Sequence, residues 1–90
     1  MSSYNVILSR STIKSLKKID ARYINKIKIF LKQLENGPYV ADFDIKKMVG
    51  EDYMYRCRIG IYRVVYIVKN SEVTIVVLDI DHRKDIYRQM

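Results

Sequence analysis

The stretch "RCRIGIYRVVYIV", residues 56–68, sets three arginines inside the strongest strand signal of the chain. Its tyrosines and β-branched residues suit a pleated, half-buried surface, and Gly60-Ile61 divides it as a two-residue turn divides a hairpin. With those two residues as the turn, paired positions sum to 121, so Arg58 lies opposite Arg63 and Arg56 opposite Val65. Side chains alternate across a strand. Arg56, Arg58 and Arg63 therefore share one face, and Tyr53, Tyr55, Cys57, Ile59, Tyr62, Val64 and Tyr66 share the other, which is the expected core. Like charges directly opposed on a sheet are destabilising. Either nearby acids relieve them on a solvated face, or an anion binds there.

Outward from the hairpin, residues 53–59, 62–69 and 73–80 form three runs rich in Tyr, Val and Ile, with Asn70-Ser71 as a second tight turn. That turn makes pairs of the second hairpin sum to 141 and sets Leu78 against Arg63. Upstream, "YNVIL" (4–8) reads as a first strand ending at Ser9. Ile13, Leu16 and Ile19 then recur at helical spacing, with Ser9 or Ser11 as N-cap. Asp20 offers a second N-cap, followed by the stripe Ile24, Ile27, Phe30, Leu31 and Leu34, and "NGP" (36–38) stops the helix. Residues 39–52 show no clean period and read as a loop with at most one extended turn; the tail "HRKDIYRQM" reads as a helical turn or an extended end. The expected fold class is α+β, ordered β-α-α-β-β-β, with a helical hairpin packed on one face of a mainly antiparallel four-stranded sheet.

The length of 90 residues, with 49% hydrophobic content, fits a single domain over 1–90. No secretion signal or spanning segment is evident, so the expectation is a cytoplasmic protein with no membrane partner. The single cysteine, Cys57, excludes an internal disulfide and a multi-cysteine metal site, and in a strand it reads as a small buried hydrophobe. No cofactor and no metal are expected. The net charge of +7 favours polyanionic partners. Residues 10–36 carry eight Lys or Arg against Asp20 and Glu35, a balance of +6. Lys14, Lys17, Lys18, Arg22, Lys26, Lys28 and Lys32 read as the solvated side of the helices, with RNA phosphate contact as their functional alternative.

"DHRKDIYR" brings His82, Arg83, Tyr87 and Arg88 just after the last strand, where the tail is able to lie over the arginine face. Several guanidiniums, an imidazole and a phenol together make a phosphodiester site, since Arg binds phosphate in bidentate fashion and His and Tyr move protons.

These segments, "YRCRIGIYRVVYIV" and "HRKDIYR", resemble the signature of the RelE/ParE toxin superfamily, and within it the RelE branch of type II toxin-antitoxin systems. The resemblance implies a ribosome-dependent mRNA endoribonuclease that cuts in the A site by metal-free attack of a ribose 2′-OH on the adjacent phosphate. It implies as partners a cognate RelB-like antitoxin, in a toxin-antitoxin hetero-oligomer, together with the ribosome and mRNA. Carried over by position, Arg63 in "YRVVY" matches the phosphate-binding arginine, Arg83 the basic residue after the last strand, and Tyr87 the C-terminal tyrosine. Arg56 and Arg58 stand where well-known members have lysines. Arginine is in practice never a base, so these two are assigned to binding the substrate phosphate, and His82 becomes a candidate acid or base or, alternatively, a structural histidine. The competing readings are a ParE-like toxin that inhibits DNA gyrase without cutting RNA, and a non-toxic RNA-binding module.

Overall fold

Ser9 ends the first strand and begins the first helix within one residue. Its hydroxyl oxygen accepts from the Thr12 backbone N–H at 3.0 Å and its O–H donates to the Leu78 carbonyl at 2.6 Å, so one side chain caps the helix and ties it to the last strand. The computed structural model describes residues 3–48 and 53–82. Its elements are β1 (Asn5–Leu8), α1 (Arg10–Leu16), α2 (Ala21–Gln33), β2 (Asp44–Lys47), β3 (Met54–Ile59), β4 (Tyr62–Lys69) and β5 (Thr74–His82), with short 3₁₀ turns at Leu34–Asn36 and Asn70–Glu72. Of the two candidate caps for the first helix Ser9 is the one used, Asp20 caps the second as expected, and the second helix stops before Gly37.

The sheet has five strands in the order β1-β5-β4-β3-β2, not four, and its pairing is mixed. β1 runs parallel to β5, while the other three pairs are antiparallel. The added strand, β2, lies in the segment read as a loop. Four residues on a sheet edge, three of them exposed, give too short and too polar an alternation to stand out.

One face of the sheet buries Cys57, Ile59, Tyr62, Val64, Tyr66, Val68, Ile75, Val77 and Ile80 against Ile27, Phe30, Leu31 and Leu34. Tyr66 is fully buried, and its hydroxyl donates to the Pro38 carbonyl at 2.6 Å; burial pushes this phenol upward in pKa. The Cys57 thiol is likewise pushed up, to about 12, chiefly by burial, which leaves it an inert core residue. Tyr53, expected on the core face, lies just outside β3 and is 67% exposed.

The β3–β4 hairpin has the register read from the sequence, with Arg58 opposite Arg63 and Arg56 opposite Val65. Gly60 has φ of +60°, a left-handed conformation that a side chain resists, and the Tyr23 ring of α2 packs directly on it. The Tyr23 and Tyr62 rings meet edge to face, and the Tyr62 hydroxyl accepts the Asp20 backbone N–H at 2.9 Å. The start of α2 thus clamps the hairpin that carries Arg58 and Arg63. Gly60→Ala would combine a left-handed alanine with a displaced Tyr23 ring. Its expected cost is about 1–3 kcal/mol, each kcal/mol lowering Tm by about 4–8 °C, measurable by thermal unfolding; an unchanged Tm would refute the clamp.

The β4–β5 hairpin departs from the expected register. Its connection spans Asn70 to Val73, with Val73 left-handed at φ of 48°, so the chain uses four residues where two were expected. A bulge then sets Tyr66 against Val77 and Val65 against Asp79, leaving Leu78 extra. Arg63 consequently faces Asp81 and not Leu78. Asp79 accepts from the Ser11 hydroxyl at 2.9 Å and the Ile80 backbone N–H at 2.9 Å, joining α1 to β5. Burial raises its pKa, but hydrogen bonds involving Asp81, Ser11, Ile80 and Ser15 outweigh that and hold it below the ordinary 3.8. A folded-state value below the unfolded one stabilises the fold above that range, and the gain is lost as pH falls through the folded value. Asp79→Asn should therefore show a weaker loss of stability in acid titrations below about pH 4 than the wild type; parallel acid profiles for the two proteins would refute it.

Candidate active site on the open face of the sheet

The face of the sheet turned away from α2 carries a row of four charged residues in register across β2, β3, β4 and β5: Asp44, Arg58, Arg63 and Asp81. An acid therefore stands outside each of the two opposed arginines. This arrangement offsets part of the like-charge cost, so the arginine pair is tolerated before any ligand arrives. The next row sets Lys46 against Arg56, and Arg56 against Val65. Arg56 and Arg63 are half-buried, whereas Arg58, Asp44 and Lys46 are exposed.

Asp44, Lys46, Arg56, Arg58 and Arg63 together line a shallow depression of about 10 Å³. A wider groove of about 540 Å³ beside Lys28, Lys32 and Glu35 lies on the surface of α2, and there Lys32 is already paired with Glu35 at 3.1 Å. The arginine depression is small, but it concentrates donors that bind phosphate in fork geometry.

The structure thus brings Arg56, Arg58 and Arg63 together as expected. It does not bring His82 to them. His82 pairs with Tyr62, shares its face, and meets its ring edge to face at 5.2 Å, on the side of the sheet that packs against the helices. The physical reason is the bulge: the longer connection slides the register by an even number of residues and keeps each side chain on its face, whereas the extra Leu78 turns His82 to the other face and Asp81 toward Arg63. Arg83, Tyr87 and Arg88 lie outside the described residues. Asp44 and Lys46 escaped the sequence reading because they ride on β2; the only signal for them was the brief polar-apolar-polar alternation of Asp44, Ile45 and Lys46.

The family model described as the ParE toxin of type II toxin-antitoxin systems, parDE, matches residues 6–87. The chain belongs to this family. Among curated relatives, it is 33% identical to the putative toxin RelE1 of Methanocaldococcus jannaschii over 94% of this chain and 96% of that one. It is 32% identical to toxin RelE3 of the same organism, over 91% and 93% of the two chains. Among solved structures, a chain of the RelB-RelE antitoxin-toxin complex from Methanococcus jannaschii matches with a TM-score of 0.81 and 28% identity, covering 93% of this chain and 98% of that one. The archaeal RelE-RelB complex from Pyrococcus horikoshii OT3 contributes a match with a TM-score of 0.79 and 29% identity, covering 92% and 97%. The chain is a RelE/ParE superfamily member of the RelE-like branch, a type II toxin of the RelE kind.

Because Arg58 and Arg63 repel one another but each has an acid on its other side, truncating either should leave stability within about 0.5 kcal/mol of wild type. Denaturant melts of Arg58→Ala and Arg63→Ala check this. A loss above about 2 kcal/mol in both would make the pair part of the fold's support.

Proposed function

We propose that the protein halts translation as a metal-independent, ribosome-dependent mRNA endoribonuclease acting in the cytoplasm, with the arginine face holding the scissile phosphate in the ribosomal A site. The observation that carries this reading is the cluster of Arg56, Arg58 and Arg63 around one small depression on the open face of the sheet. In the proposed reaction the ribose 2′-oxygen attacks the adjacent phosphorus and the bond to the 5′-oxygen breaks, leaving a cyclic phosphate and a 5′-OH. Charge builds on the non-bridging oxygens, and preorganised guanidiniums stabilise it without reorganising. Arg63 and Arg83 take this role, Arg56 and Arg58 add binding, and the Tyr87 hydroxyl contacts the phosphate. His82, seated against Tyr62, is better assigned to holding the end of β5 than to the chemistry.

The partner that restrains the toxin is a RelB-like antitoxin. Matched structures of RelE chains in complex with RelB support this reading, and so does the +7 charge, which suits an acidic or amphipathic segment. The name of the matching family favours a second reading, a ParE-like toxin that inhibits gyrase.

Primer extension on translating ribosomes separates the two. Purified protein should produce stops within A-site codons and leave free RNA intact, since orientation by the ribosome supplies the in-line geometry. Arg63→Ala and Arg83→Ala should each lower the cleavage rate by about 10²–10³, and Tyr87→Phe should lower it by about 10²–10⁴ if the phenol moves a proton. Intact mRNA with inhibited gyrase would replace the nuclease reading with the second one.

A further inference from the structure

Three guanidiniums in the depression leave a chemical gap. They hold a phosphate, but arginine stays protonated and does not transfer protons. The 5′-oxygen leaving a phosphodiester is a poor leaving group unless it is protonated as the bond breaks, so the site needs a donor. Lys46 is the one cationic side chain other than arginine among the described residues that line the depression. It sits on the edge strand directly opposite Arg56 and diagonal to Arg58, on the arginine face. Being exposed on a flexible four-carbon stem, it keeps the freedom to reach a group at the rim. His82, the other described candidate for proton transfer, faces the helix side against Tyr62.

From this placement, and resting on the nuclease reading above, we propose that Lys46 is the general acid of the cleavage step. Its ammonium gives one proton to the 5′-oxygen as the P–O5′ bond breaks. The 2′-oxygen forms the new bond to phosphorus and releases its own proton to solvent, and solvent then reprotonates the lysine amine, so the step is neutral overall. Asp44, two residues before Lys46 on the same face and opposite Arg58, offsets the local positive charge.

The test is single-turnover cleavage of mRNA on programmed ribosomes, with an ordinary A-site phosphodiester and with a 5′-bridging phosphorothiolate, whose sulfur leaves without protonation. Lys46→Arg keeps the charge but not the proton transfer, and Lys46→Ala removes both. On the ordinary substrate both should cleave about 10²–10⁴ slower than wild type, with ribosome binding by Lys46→Arg unchanged. On the phosphorothiolate both should return to within about tenfold of wild type, while Arg63→Ala stays slow on either substrate. Lys46→Arg cleaving the ordinary substrate like wild type overturns the assignment, as does rescue of Tyr87→Phe in place of the Lys46 variants. A wild-type protein that leaves ribosome-bound mRNA intact overturns the nuclease reading itself, which is a different failure.

Discussion

The register of the β3–β4 hairpin is the constraint on which the remaining structure depends. It opposes Arg58 to Arg63 on one face and sets Cys57 against Val64 and Ile59 against Tyr62 on the other. A one-residue slip would carry all of these side chains to the wrong side of the sheet. The slip is resisted at the turn itself, where the Tyr23 ring lies on Gly60 and the Tyr62 hydroxyl holds the first residue of the α2 cap. Core and site are two faces of one pairing.

Around that pairing the sheet divides its labour. The helix-side face stabilises the domain by burying residues such as Ile27, Phe30, Tyr66 and Val77. The opposite face gathers charge at the hairpin end, where acids on β2 and β5 flank the arginines. This flanking explains how a small domain tolerates opposed arginines: the acids moderate the repulsion yet, being at the ends of the row, leave the centre electropositive.

The parts legible in the sequence were those with a local physical signature. Ser9 and Asp20 announced their helices as caps, Gly37-Pro38 ended the second, and Gly60-Ile61 fixed a hairpin because a two-residue turn leaves no slack. The parts that were not legible depended on longer-range geometry. β2 exists because β3 offers a free edge to pair with, and its own residues Asp44–Lys47 have little strand character. The four-residue connection before β5 and the extra Leu78 shift the register in a way no composition reveals, and the odd step made by Leu78 turns His82 away from the arginines and Asp81 toward them. The shared face of Arg56, Arg58 and Arg63 was therefore legible in the sequence, whereas the placement of Asp44 and Lys46 beside them required the fold.

On the proposed reading, the arginine face receives the RNA backbone. The most direct test of that reading is a cryo-electron microscopy structure of the protein on a ribosome whose A-site codon carries 2′-O-methyl groups, which remove the nucleophile and hold the substrate uncut. The expected result is the scissile phosphate against Arg58 and Arg63, with guanidinium-to-oxygen distances of about 2.7–2.9 Å and the helices turned away from the mRNA. A phosphate bound elsewhere, with this face of the sheet open to solvent, would contradict it.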